Sequence, residues 1–191
     1  MSFFKEWLTN VGVSTSAAVI PYKVTNGIVS KTILEVFNVE SPTSRIDFSK
    51  SNGESLTLIT RYLGLSNETT LSSSGAVISQ YGLKLRSVNT CNLVYVMRVF
   101  TPLPKVIVLI KQNDGMTMHS ECGPKGYRLI KDISMPVVPI GTEIKMSGSF
   151  VGNILTYKEN DKFVWSGVVP FDKKGICGFR SDNVKVSLSV A

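Results

Sequence analysis

The chain has 191 residues, 43% of them apolar and 18% charged, with 21 Lys and Arg against 14 Asp and Glu. That much apolar surface excludes a disordered chain, and the length suits one substantial core. The net charge of +7 favours an acidic partner without naming it. No apolar run is long enough to span a bilayer as a helix.

In chain order, Phe3, Phe4, Trp7, Leu8 and Val11 recur at helical spacing, so residues 1–12 are expected to form a short amphipathic helix. A helix this short is marginal alone. Its stripe of Phe3, Phe4, Trp7 and Leu8 is therefore expected to dock, on the chain's own core, by self-association or on a membrane surface. Residues 13–191 read as one β-rich domain. Strands are expected over 28–39, 56–63, 83–86, 93–100, 106–110, 128–133, 144–147, 150–157, 162–169 and 184–190. Most alternate apolar and polar residues, as half-buried strands do, whereas 93–100 and 106–110 read as buried on both faces. Residues 55–65 also admit a short helix, and 66–75 (SNETTLSSSG) reads as a flexible loop. Turns are expected at Asn26-Gly27, Asn52-Gly53, Asp114-Gly115 and 158–161. The fold class is mainly β: an antiparallel sandwich or partly open barrel with a short N-terminal helix.

Catalytic equipment is sparse. His119 is the single histidine, and Cys91, Cys122 and Cys177 stand at irregular spacing. An odd cysteine count at such spacing suits buried free thiols in a reducing compartment. His119 and Cys122 have two-ligand spacing, but a structural zinc wants four ligands. Residues 148–152 do not reproduce G-x-S-x-G, and the glycine pairs at 123–126 and 175–178 lack the phosphate-cradling patterns. No enzyme activity, metal or organic cofactor is expected. Nor does the start of the chain show the charge order of a secretory signal.

The charge pattern is more informative. Residues 69–113 contain no Asp or Glu, yet carry Lys84, Arg86, Arg98, Lys105 and Lys111. Lys125, Arg128 and Lys131 follow, beside Tyr127. A polyanion-binding surface is therefore expected from Lys84, Arg86, Lys105, Lys111, Lys125, Arg128 and Lys131, with nucleic acid, nucleoprotein or an anionic membrane as partner. Lys84 and Arg86 should share one strand face, while Arg98, inside an apolar strand, should be buried against a partner from elsewhere. Lys173, Lys174, Arg180 and Lys185 add a second basic group of residues near the C-terminus.

This combination of length, charge and the opening MSFFKEWL resembles the small virion proteins of RNA viruses, most nearly the rhabdovirus-type matrix proteins of negative-strand viruses. The resemblance implies a non-enzymatic structural and assembly protein of the host cytoplasm or virion, which self-associates and bridges nucleocapsid and membrane. A jelly-roll coat protein that packages nucleic acid, or a viral movement or silencing factor, would suit the same features.

Overall fold

The computed structural model describes residues 21–32, 35–49, 52–72 and 74–191. The expected N-terminal helix, with Phe3, Phe4, Trp7 and Leu8, lies outside the described residues. Twelve strands follow: β1 (Tyr22–Asn26), β2 (Val29–Lys31), β3 (Phe37–Phe48), β4 (Ser55–Leu65), β5 (Ser79–Asn89), β6 (Asn92–Thr101), β7 (Lys105–Lys111), β8 (Tyr127–Ser134), β9 (Glu143–Val151), β10 (Ile154–Glu159), β11 (Lys162–Val168) and β12 (Ile176–Val190). One helical turn, α1 (His119–Cys122), stands between β7 and β8. The chain is mainly β, and every strand pairing is antiparallel.

The architecture turns on β12. Along one edge it pairs with β3 from Cys177 to Leu188. Along the other, its first half pairs with β5 and its second half with β4. A front sheet therefore runs β3-β12-β5-β6-β7-β8, and a back sheet runs β3-β12-β4-β9-β10-β11. In both shared strands the alternation slips where the chain passes from one sheet to the other. Buried residues of β12 run Cys177, Phe179, Ser181 and then Val184, Val186, Leu188; those of β3 run Phe37, Val39, Ser41 and then Ser44, Ile46, Phe48. Asn183, at the slip in β12, takes a left-handed conformation with φ 53°, as a residue opening a bulge does.

Between the sheets lies the core. Tyr81, Leu83, Leu85, Val94, Val96, Val106 and Val108 face Leu58, Ile144, Met146, Leu155 and Tyr157. Each such aliphatic side chain contributes about 1.5–3 kcal/mol on burial. At Gly148 the layers meet closely: a Cβ there would sit 2.9 Å from Leu83 Cδ1.

Several strand expectations hold and some do not. Residues 55–65 are a strand, β4, because Leu56, Leu58, Thr60 and Tyr62 bury on alternate positions and both edges find partners. The stretch 150–157 is two strands, broken at Gly152, whose φ of 58° makes the turn. At Asn160-Asp161 both residues have positive φ, 51° and 63°, the geometry of a two-residue hairpin. The loop after β4 is tied down rather than loose. Asn183 Oδ1 accepts from Thr70 N at 2.7 Å, and its Nδ2 donates to Thr70 O and Ile78 O at 3.0 and 2.9 Å.

Candidate functional site

Register places three rows of side chains on the outer face of the front sheet. Arg45, Arg180, Gly82, Met97 and Ile107 lie in one row across β3, β12, β5, β6 and β7. Asp47, Gly178, Lys84, Tyr95 and Leu109 form the next, and Thr43, Asp182 and Gln80 the third. Leu93, Tyr95 and Met97, with Ile107 and Leu109 against them, make a small apolar cluster separate from the main core. This cluster floors the site.

Asp182 is its hub. Oδ1 accepts from Arg45 Nη2 at 3.0 Å, and Oδ2 accepts from Arg180 Nε and Gln80 Nε2, both at 2.8 Å. The Arg180 guanidinium then lies 4.7 Å from the Tyr95 ring centre and donates from Nη1 to Tyr127 Oη at 2.9 Å. Burial pushes the Asp182 carboxyl up, but Arg180 and Arg45 outweigh it and hold the group at about 2. Because the folded value lies below the ordinary one, this carboxylate stabilises the fold above about pH 4 and loses that contribution as pH falls towards 2, on the order of 2–3 kcal/mol. Thermal melting from pH 5 to pH 2 should show the loss, and Asp182→Asn should remove that portion of the pH dependence. A pH profile unaltered by the substitution would refute the arrangement.

Two cavities open on this face, of about 590 and 380 Å3, and they share Arg45, His119 and Tyr127. One wall comes from residues 112–126, which fold back over the sheet. Asn92 holds them: its Nδ2 donates to Asn113 O and Met116 O, and its Oδ1 accepts from Asn113 N. A disulfide between Cys91 and Cys122 anchors α1. That bond pairs two of the three cysteines expected as thiols, and it takes Cys122 away from any metal role beside His119. Among the described residues no group of three or more His, Cys, Asp or Glu is placed to hold a metal.

His119 lines both cavities. Burial, then the positive charges of Lys111, Arg45 and Arg180, lower its pKa, so the imidazole is neutral at pH 7 and offers both a donor and an acceptor. Lys111 is buried, donates to Gly123 O at 2.8 Å, and lies 5.2 Å from the Tyr127 ring centre. Burial, followed by Arg180 and Arg45, pulls its ammonium down to about 8.

The cations expected to form one polyanion surface are dispersed instead. Lys84 is buried against Asp47 in an ion pair. Arg86 sits on a bulge with φ 49° and turns to Glu54 (2.7 Å), Phe171 O and the Phe150 ring. Lys84 and Arg86 therefore do not share a solvated face. Lys105 pairs with Asp132 at 2.7 Å. Arg128 and Lys131 lie opposite Ile110 and Val108, on the face of β8 away from the cavities, and Lys125 is in an exposed turn. Arg98 is buried as expected, and its partner is Glu159. The acid-free stretch thus receives its carboxylates from β3, β8, β10 and the turn before β4. Sequence reasoning missed Arg45, Gln80, Tyr95 and Asp182. Arg180-x-Asp182, two residues apart on one strand face, was the available signal.

The chain shares its fold with several solved domains, among them carbohydrate-binding ones. The carbohydrate binding module CBM66 from Bacillus subtilis is similar over 90% of this chain and 94% of its own, with 14% identity and a TM-score of 0.65. The carbohydrate recognition domain of Emp47p (8% identity, TM-score 0.55) covers 93% and 89%. Galectin LEC-6 from Caenorhabditis elegans (14%, 0.53) covers 85% and 99%. No family model and no curated protein sequence matches the chain. These likenesses overturn the resemblance to rhabdovirus-type matrix proteins, and with it the viral coat, movement-factor and nucleic-acid-binding readings. Among the described residues no helix is long and apolar enough to cross a membrane.

Proposed function

We propose that this chain is a non-enzymatic carbohydrate-binding domain whose site is the groove on the outer face of the front sheet. The observation that carries the reading is the Tyr95–Arg180–Tyr127 stack fixed on Asp182 beside an apolar floor, in a fold shared with carbohydrate-binding domains. A sugar ring presents hydroxyls around its rim and C–H groups on its faces. It therefore needs fixed polar groups next to an aromatic or aliphatic surface. Arg45, Arg180 and neutral His119 supply the first, and Tyr127 with Leu109 supplies the second.

The carboxylates support binding rather than turnover. Glycoside hydrolysis ordinarily takes two carboxyl groups, one of them protonated near neutral pH. Asp182 is held ionised with both oxygens occupied, and Asp47 is engaged by Lys84. The disulfide supports a site of action in an oxidising compartment.

A glycan array followed by calorimetry tests the reading. Tyr127, at the edge strand and 39% exposed, should tolerate Tyr127→Ala with little change in melting temperature. The same change should lower glycan affinity at least tenfold, about 1.4 kcal/mol. Failure of the folded protein to hold any glycan would overturn the proposal.

A further inference from the structure

The charged side chains that line the groove's two cavities are all cations. Arg45, Lys105 and Arg180 line the larger cavity, and Arg45, Lys84 and Lys111 line the smaller. Neither cavity has an Asp or Glu among its lining residues. Three other surface cavities each include carboxylates: Glu40 and Glu68 in one, Asp161 in the second, Glu143 in the third. Asp182, Asp47 and Asp132 lie beside the groove, and each is spent on the groove's cations: Asp182 on Arg45 and Arg180, Asp47 on Lys84, and Asp132 on Lys105.

Donor capacity is left over. Lys111 Nζ carries three protons and has one acceptor, Gly123 O; no acid pairs with it among the described residues. Arg180 spends Nε on Asp182 and Nη1 on Tyr127, while its Nη2 meets no acceptor among the described residues. Sugar hydroxyls both give and accept hydrogen bonds, so a site for neutral sugars alone gains from acceptors in its lining. A lining whose charged groups only donate is matched by a group that only accepts. An ionised carboxylate is such a group, and its two oxygens suit a guanidinium fork.

We propose that the saccharide bound in this groove is an acidic one, a sugar bearing a carboxylate, with Arg180, Arg45 and Lys111 as the residues that select it. The inference rests on the carbohydrate reading above and narrows it to uronic or sialic acid chemistry. A single carboxylate is the recognised feature, not a polyanionic backbone. Arg180 lies against both tyrosine rings, Tyr95 and Tyr127, and Lys111 against Tyr127, while Arg128 and Lys131 are on the other face of β8.

Calorimetry with oligogalacturonate, hyaluronan oligosaccharides and sialyllactose, each beside its carboxyl-reduced counterpart, tests this. Lactose and levan serve as neutral sugars and dextran sulfate as a polyanion. At least one carboxylated sugar should bind about 10- to 100-fold tighter than its reduced counterpart, the range for charge-assisted hydrogen bonds. Lys111→Met, close in volume at a buried position, should reduce that preference about tenfold. Equal binding of the carboxylated and reduced sugars, or neutral sugars binding best, would overturn the acidic-sugar inference while leaving carbohydrate binding intact. Dextran sulfate binding as tightly as the carboxylated sugars would overturn it as plain ion exchange. No binding to any sugar would remove the carbohydrate reading itself. If Lys111→Met does not fold, the comparison of each sugar with its reduced form on the unaltered protein still decides the matter.

Discussion

Arg98→Leu is expected to cost the fold about 3–5 kcal/mol, the loss that follows when one partner of a buried ion pair is removed. Among the described residues Arg98 is the largest fully buried side chain, 1% exposed, and it shares the inward face of β6 with Val94 and Val96. Its Nε lies 3.6 Å from Glu159 Oε1, and its Nη2 donates to Pro136 O at 2.7 Å. Glu159 also accepts from Tyr157 Oη at 2.8 Å, and burial together with this carboxylate pushes the Tyr157 phenol well up. Without the guanidinium, the Glu159 carboxyl group would lie among buried tyrosines with no cation opposite. The pair itself is imperfect: Arg98 Nε and Nη1 make no hydrogen bond. Replacing both partners, Arg98→Leu with Glu159→Gln, should therefore recover most of the loss, because the uncompensated charge goes as well. Urea unfolding of the two single variants and the double variant measures the coupling. A double variant as unstable as the sum of the singles would refute the ion-pair account.

Arg98 also marks how far the order of residues reveals the fold. A lone arginine between Met97 and Val99 announces a buried charge, but nothing nearby names its partner, which lies on β10 in the opposite sheet. The same holds for the whole stretch 69–113. Its lack of acids looks like an accumulating potential along the chain, yet Asp47, Glu54, Asp132 and Glu159 neutralise Lys84, Arg86, Lys105 and Arg98 across the sheets. Strands β6 and β7 were legible because their central runs are almost wholly apolar, broken in β6 only by Arg98. The second half of β12 was legible because Val184, Val186 and Leu188 keep strict alternation. The first half of β12 and most of β3 were not. Each slips by one residue where it changes sheet, and each buries serines, Ser181 on β12 and Ser41 and Ser44 on β3. These two strands carry Arg45, Arg180 and Asp182, so the site was hidden for the same reason as the strands. The Arg45–Asp182 contact joins residues 137 positions apart.

Replacing the disulfide, Cys91→Ala with Cys122→Ala, is expected to lower stability by about 3–4 kcal/mol, the loop-closure value for cysteines 31 residues apart. For a chain of this size that corresponds to a fall in melting temperature on the order of 10 °C. The second consequence is functional. The bond ties α1 to the turn between β5 and β6, and α1 with the residues after it brings His119, Gly123 and Tyr127 to the groove. Gly123 O is also the acceptor that holds Lys111 Nζ. Polar ties remain in the variant: Thr90 Oγ1 to Thr117 O at 3.1 Å, and Asn92 to residues 113 and 116. The wall should therefore loosen without leaving the sheet. Far-ultraviolet circular dichroism should keep its β signature, because neither cysteine belongs to a strand, while glycan affinity should fall at least tenfold. Reduction by dithiothreitol should reproduce both losses in the unaltered protein and leave the double alanine variant unaffected. An unchanged affinity in the variant would show that the wall holds its shape without the covalent tie. An unchanged melting temperature would show that the bond contributes nothing to the fold.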